Sequence, residues 1–355
     1  MNITMKRLQK LRTTLSEKKL QAVLISQPEN RYYFSGFNGS AGYLLITADS
    51  QLLATDFRYV EQVKRQSPDY RLFELKGEMA KWLPEFTAGL GLKELAFEAE
   101  DVTFDRYNRL KETLSPLGVE LKPAISLVET IRSVKEPGEI AFIERAVAVS
   151  DAAIEHIRTT ARPGMTELRM AWEIEKYMRE HGSQAVPFEV IVASGQNSAL
   201  PHHRPSDYVV RAGEPIVIDI GARCEGYASD LTRTVCLGKE GEQFRNIYGI
   251  VLKAQMAAEE HIISGMSGSE ADSIARTIID DAGYANKFGH GLGHGLGLVV
   301  HEAPRVGSNS KDILADGMVF TVEPGIYLPE WGGVRIEDTV TLEHGKIRVL
   351  SAARK

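Results

Sequence analysis

Apolar residues recur along this chain at two spacings, and the change between them divides it. Steps of three and four put Leu8, Leu11 and Leu15 on one face of a helix predicted over Arg7–Lys18. Similar stripes predict helices at Tyr59–Arg65, Glu78–Glu85 and Phe104–Leu114. Between them, short runs of β-branched, aromatic and leucine residues predict strands near Ala22–Ser26, Tyr43–Thr47, Leu52–Ala54, Leu95–Phe97 and Val119–Pro123. Such alternation describes a small mixed-sheet domain over residues 1–131. Asn38-Gly39-Ser40-Ala41-Gly42 imitates a phosphate loop, but no Gly-Lys-Ser/Thr and no helix follow, so it reads as a tight turn.

The pattern breaks at Ile131–Gly138, and Pro137 suits the first turn of a new, long helix. Ile140, Ile143, Val147, Ser150, Ile154 and Ile157 form its buried stripe, and a second helix runs from Thr166 to His181. After Gly182 come strands at Phe188–Ala193, Ile216–Ile220 and Leu231–Cys236, then helices at Glu242–Ser264 and Ser269–Gly283, then the last strands. Residues 132–355 therefore read as two αβ halves of similar design, and the whole chain as α+β.

The strands of this second domain carry acid on their polar faces. In Pro215–Gly221, Ile216, Ile218 and Ile220 alternate with Val217, Asp219 and Gly221; in Asp230–Val235 the polar face carries Asp230, Thr232 and Thr234. A hairpin turning near Glu225-Gly226 is expected to set Asp219 opposite Asp230. Glu323 closes Val319–Val322 just ahead of Pro-Gly, and Glu337 shares a face with Arg335 in the run from Val334 to Leu342. Burying four such carboxylates together costs many kcal/mol unless cations neutralise them. A pair of divalent metal ions is the simplest expectation.

Imidazoles complete the set. Gly289–Gly297 places His290 and His294 four apart, the spacing of a helical metal pair, but five glycines in nine residues would cost a helix about 4–5 kcal/mol. An extended segment that approaches a ligand closely is expected instead. His301 follows in His-Glu-Ala-Pro, and His202 and His203 stand together earlier in the chain.

Composition narrows the partners. The 355 residues are 43% hydrophobic and 25% charged, with a formal charge of -6, which offers nucleic acid and anionic membranes no electrostatic attraction. No apolar run approaches the roughly 20 residues that cross a bilayer, and the charged start of the chain carries no signal-peptide core. Cys224 and Cys236 make no CxxC motif and read as two reduced thiols rather than a disulfide. A cytoplasmic protein is expected.

Taken together, Asp219-x-Gly, Gly226-Tyr-x-Ser-Asp230-x-Thr-Arg-Thr234, His290-x-x-x-His294, His301-Glu-x-Pro304, Glu323-Pro-Gly and Arg335-x-Glu337 resemble the pita-bread metallopeptidases, in the branch of prolidase and aminopeptidase P. The resemblance extends over nearly the whole chain. It implies a creatinase/prolidase-type N-terminal domain followed by a catalytic domain whose curved antiparallel-type sheet is flanked by helices. It also implies Asp219, Asp230, His294, Glu323 and Glu337 as metal ligands, with Asp230 and Glu337 spanning both ions. His202 would hold substrate and stabilise the tetrahedral intermediate, His290 and His301 would line the pocket, and Arg335 would orient a ligand carboxylate. Glu323, His202 and His301 would take part in catalysis.

Ligation by oxygen and imidazole without thiolate suits Mn²⁺ first, with Co²⁺ or Zn²⁺ as alternatives. The expected activity is that of a Xaa-Pro aminopeptidase on short peptides with proline second, acting as a homodimer. Tyr33-Phe-Ser-Gly-Phe-Asn-Gly-Ser-Ala-Gly42 is closer to the aminopeptidase side. A Xaa-Pro dipeptidase on the same scaffold is the near alternative. A metal-free creatinase-like hydrolase or an inactive binding module is the distant one, since such relatives lose carboxylates that this chain keeps. His203 departs from the family, whose members often carry a small residue there. It either shapes the pocket beyond the scissile bond or is a surface imidazole.

Overall fold

The computed structural model describes residues 3–355, which divide into two compact units between Ile131 and Arg132. In the first unit, β1 (Ala22–Ile25), β2 (Tyr43–Thr47), β3 (Gln51–Thr55), β4 (Arg71–Glu74), β5 (Glu94–Glu98) and β6 (Glu120–Ala124) form one mixed sheet. Its order is β4-β3-β2-β1-β5-β6, antiparallel through β1–β3 and parallel toward both edges. The helices are α1 (Ile3–Glu17), α2 (Pro28–Ser35), α3 (Val60–Gln66), α4 (Met79–Thr87), α5 (Phe104–Leu114) and, reaching the boundary, α6 (Leu127–Ser133). Trp82, Leu83 and Phe86 of α4 and Leu110 and Leu114 of α5 bury against Leu24, Leu45, Leu52 and Leu95 of the sheet. The stripe predicted at Phe104–Leu114 thus matches a helix of those bounds, capped by Thr103, whose side chain accepts the Arg106 N–H. The strand alternation does not foretell α2 or β4, which are short, rich in polar and charged residues and held by their neighbours.

The second unit contains two helix-pair-on-sheet layers. In one, α7 (Pro137–Thr160) and α8 (Glu167–Glu180) cover β7 (Ile191–Ser194), β8 (Pro215–Ile220) and β11 (Leu231–Cys236), ordered β11-β8-β7 and all antiparallel. Ile154, Ile157, Met170 and Ile174 pack there on Val192, Ile216, Ile218 and Leu231. Between β8 and β11 the chain makes a small hairpin, β9 (Arg223–Cys224) and β10 (Tyr227–Ala228).

In the other layer, α9 (Glu242–His261) and α10 (Gly268–Ile279) cover β12 (Gly293–Gly295), β13 (Glu302–Val306), β14 (Val319–Val322), β17 (Asp338–Glu343) and β18 (Lys346–Val349). A short hairpin, β15 (Gly325–Leu328) and β16 (Gly332–Arg335), stands between β14 and β17. The five-stranded sheet runs β13-β12-β14-β17-β18. Val251, Ala254, Ala275 and Ile279 pack on Phe320, Val322, Val340 and Leu342. Ser267 and Glu270 form the capping box that starts α10.

Two sequence expectations need correction. Asp219 lies opposite Thr232, not Asp230. Glu225 and Gly226 occupy the two central turn positions, both with positive φ (49° and 81°), as a tight two-residue hairpin of the I′ kind requires. That turn sets the register two residues further on, and because a shift of two keeps side chains on the same face, Asp219 and Asp230 still face together. The run from Val334 to Leu342 is likewise two strands rather than one, broken at Ile336-Glu337.

Candidate active site

Backbone and side-chain hydrogen bonds join the two layers where the acids lie. The Glu337 N–H donates to the Thr232 carbonyl (3.1 Å), the Thr339 hydroxyl to the Asp230 carbonyl (2.8 Å) and the Thr234 hydroxyl to the Arg335 carbonyl (2.8 Å). On the opposite face of β11, fully buried Arg233 pairs with Asp338 at 2.7 Å and donates to the Ala353 carbonyl. This double lacing fixes Asp230 and Glu337 relative to one another, and side chains from both sheets meet in a cavity of about 410 Å³. All nine residues singled out from the sequence line it: His202, Asp219, Asp230, His290, His294, His301, Glu323, Arg335 and Glu337. His203 lines it too.

Glycines bring the histidine segment in. β12 lies between β13 and β14, and a Cβ on Gly293 would overlap the Thr321 carbonyl, one on Gly295 the Ala303 carbonyl. The segment is extended, as its glycine content predicts. Nothing in the sequence pattern marks Tyr327, yet its hydroxyl bridges His290 Nε2 (2.8 Å) and Arg335 Nη1 (3.0 Å). Thr232 and Thr321 are further supports: the first donates to Glu337 Oε2 (2.6 Å), the second to Glu323 Oε1 (3.0 Å). Strand alternation points Thr232 toward the acids, and that was the available signal.

Ligand oxygens of Asp219, Asp230 and Glu337 all lie within 4.8 Å of one another. Arg335 Nη2 meets Asp219 Oδ2 at 2.6 Å, whereas buried Asp219 Oδ1 has no hydrogen-bond partner among the described residues. Burial first, then the neighbouring carboxylates, pushes Asp230 and Glu337 well above the ordinary carboxylate range, and burial raises Glu323 as well. Burial lowers His294, which keeps its ring neutral. With Nδ1 against the Gly295 carbonyl at 3.2 Å, the ring hydrogen sits on Nδ1 and the lone pair on Nε2. That lone pair faces Asp230 Oδ2 at 3.6 Å and Glu323 Oε1 at 3.4 Å. Acceptors turned toward acceptors, with one guanidinium among four acids, form a donor set that suits cations. The residues fit divalent metal.

Fold and site thus define a metalloenzyme: an acid-lined pocket gripped between two antiparallel layers. The chain belongs to metallopeptidase family M24, whose model matches residues 141–344, and residues 7–134 match the creatinase/prolidase N-terminal domain. It has the corresponding two-part α+β fold, with the pita-bread domain second. It is 40% identical over 349 residues to a Bacillus subtilis protein named Uncharacterized peptidase YqhT, covering 98% of each chain. Among solved structures it matches a Xaa-Pro dipeptidase from Bacillus anthracis with a TM-score of 0.96, at 38% identity over 99% of this chain and 98% of that one. A X-Pro aminopeptidase from Thermotoga maritima matches with a TM-score of 0.90, at 38% identity over 98% of both. Among the described residues no helix is long and apolar enough to cross a membrane.

Proposed function

We propose that this chain removes the N-terminal residue from short peptides whose second residue is proline, as a Xaa-Pro aminopeptidase. The observation that carries it is the convergence of Asp219, Asp230 and Glu337 within one cavity of a metallopeptidase domain. Asp219, Asp230, His294, Glu323 and Glu337 hold two divalent ions, Mn²⁺ being the preferred pair because the donors are mainly oxygen. Bound there, the ions supply Lewis acidity that polarises the scissile carbonyl and lowers the pKa of an attacking water.

The protein's own groups do the rest. Glu323, steadied by Thr321, accepts the water's proton and returns it to the departing proline nitrogen. His202 donates a hydrogen bond to the developing oxyanion, and His301, whose ring centre lies 4.1 Å from that of His294, lines the same face. Tyr327 and Arg335 hold His290 and Asp219 in place. Proline offers no N–H at the scissile bond, so a site that grips the carbonyl and the ring accepts a linkage that ordinary peptidases read poorly. The first unit, residues 1–131, serves as the accessory domain, the second, residues 132–355, as the catalytic one, and the active form is a homodimer in the cytoplasm.

The dipeptidase reading is favoured by the match to the Bacillus anthracis protein named Xaa-Pro dipeptidase. Metal-loaded chain, assayed on Xaa-Pro-Xaa tripeptides and Xaa-Pro dipeptides with and without chelator, separates the two. Tripeptide cleavage that chelator abolishes and Mn²⁺ restores is the expected result. Cleavage confined to dipeptides establishes the alternative, and activity indifferent to chelator overturns both.

A further inference from the structure

Glu167 opens α8, where a carboxylate ordinarily reaches solvent, yet it is fully buried. Its Oε1 accepts hydrogen bonds from the Ser194 N–H (2.7 Å) and Asn197 Nδ2 (3.1 Å). Its Oε2 accepts from the Ser206 hydroxyl (2.7 Å), the Ser206 N–H (3.1 Å) and His203 Nε2 (2.9 Å). One carboxylate therefore organises the segment from 194 to 206, which carries His202 and His203. Burial pushes that carboxyl up, but the bonds from Ser206, His203, Ser194 and Asn197 outweigh it and leave it below its ordinary value. An ionised carboxylate only accepts, so Nε2 of His203 donates to it, and in the neutral form of the ring the lone pair is then on Nδ1.

That Nδ1 has no hydrogen-bond partner among the described residues, while the ring, 13% exposed, lines the active-site cavity. The cations nearby are committed elsewhere: Arg204 to Glu189 at 3.3 Å, Arg335 to Asp219 at 2.6 Å. Arg204 and Glu189 are largely exposed (85% and 63%) and mark the cavity mouth, whereas the acids lie at its inner end. An exopeptidase must seat the N-terminal residue at the inner end and let the rest of the peptide leave through the mouth. A Xaa-Pro-Xaa peptide has two backbone nitrogens that carry hydrogen near the scissile bond: the terminal amine, drawn to the acids, and the amide of the third residue.

Resting on the function proposed above, we propose that His203, oriented by Glu167, accepts the N–H of the residue after proline and so selects longer peptides over dipeptides. A dipeptide brings a carboxylate to the same place, where it faces a lone pair backed by a buried anion. A small residue at 203 would read neither group.

The test compares a Xaa-Pro-Xaa tripeptide, its ester analogue with oxygen in place of the third residue's N–H, and the Xaa-Pro dipeptide. Metal-loaded wild type should prefer the amide to the ester by about five- to tenfold in kcat/KM, mostly through KM, the scale of one neutral hydrogen bond. His203→Ala should cleave amide and ester equally well, and should narrow the gap between tripeptide and dipeptide. His203→Gln, whose amide can keep the bond to Glu167, should hold the thermal midpoint of wild type and separate loop support from substrate contact. Equal cleavage of amide and ester by wild type, or an undiminished preference in His203→Ala, overturns the assignment. So does wild type that cleaves dipeptides alone, which leaves the dipeptidase reading standing. Wild type inert to all three substrates overturns the function itself.

Discussion

Glu98 in the first unit and Glu337 in the second are both cut off from solvent, 6% and 1% exposed, and their surroundings are opposite. Glu98 receives the Ser26 N–H at 2.6 Å, the Gln27 N–H at 2.8 Å and Asn30 Nδ2 at 2.6 Å. Among the described residues Glu337 accepts one side-chain hydrogen bond, from the Thr232 hydroxyl, and it faces Glu323 and Asp219, with Arg335 as countercharge. Burial alone therefore does not mark a functional carboxylate. What distinguishes the acids of the cavity is that several carboxylates share it with few donors among them, so their natural complement is a cation from outside the chain.

The largest effect expected from this contrast is at Glu337. Glu337→Gln removes a proposed ligand and should lower peptidase activity by about a thousandfold or more, since the ions supply the main Lewis-acid contribution. The same change should leave the metal-free chain as stable as wild type, or more so, because it removes a buried repulsion. Activity of the loaded enzyme and the thermal midpoint in chelator measure the two halves. A metal-free Glu337→Gln chain that melts well below wild type would mean the carboxylate is held by protein contacts, as Glu98 is.

Glu98 supplies the next effect, with pH as the lever. Burial raises its carboxyl to about 7 despite the bonds from Gln27, Asn30 and Ser26, and Glu129 pushes it further in the same direction. A carboxyl whose folded pKa is raised favours the protonated fold, so its contribution is full below the unfolded value near 4.5 and is lost as pH rises through 7. Between pH 5 and 8 the first unit should lose on the order of 2–3 kcal/mol. Hydrogen exchange of the β1 and β5 amides reads this unit separately from the titrating acids of the other. Glu98→Gln should flatten the profile; a profile as steep as that of wild type would assign the pH dependence elsewhere.

The two acids also differ in how far the sequence reveals them. Asp219 sits on a strand whose other face is aliphatic, and Asp230 and Glu337 lie just ahead of strands in runs that alternate likewise, so period-two spacing exposes them, and glycine content shows that His290 and His294 lie on an extended segment. Helix stripes likewise mark α5, α7 and α9 closely. Register was less legible, because it depends on which two residues occupy the turn, and Glu225 adopts a positive φ that its residue type does not announce. Glu98 and Glu167 were invisible for a different reason. Their partners, Ser26 and Asn30 for one, Ser194 and Ser206 for the other, lie far away in sequence and are ordinary polar residues. Tyr327 falls in the same class: a side chain that follows a conspicuous Pro-Gly but whose bridge between His290 and Arg335 exists only once β15 and β16 pair.

The smallest effect sharpens the comparison at a single hydroxyl. Thr232 donates to Glu337 Oε2 at 2.6 Å and, through the same oxygen, accepts Arg335 Nε at 3.1 Å. Thr232→Val keeps the shape, removes that hydrogen bond to Glu337 and leaves the Arg335 Nε hydrogen unmatched. Outer hydrogen bonds to metal-binding groups are typically worth about 10–100-fold in affinity, and one hydroxyl should fall near the lower end. Metal titration by calorimetry should therefore show Mn²⁺ binding weakened about tenfold, while activity at saturating Mn²⁺ returns to within about threefold of wild type. Asn30→Ala, which removes one of several donors to Glu98, should leave Mn²⁺ affinity where it was. If Thr232→Val bound Mn²⁺ as tightly as wild type, Glu337 would be positioned by its backbone bond to Thr232 alone, and the hydroxyl would belong to the packing of β11 rather than to the ion.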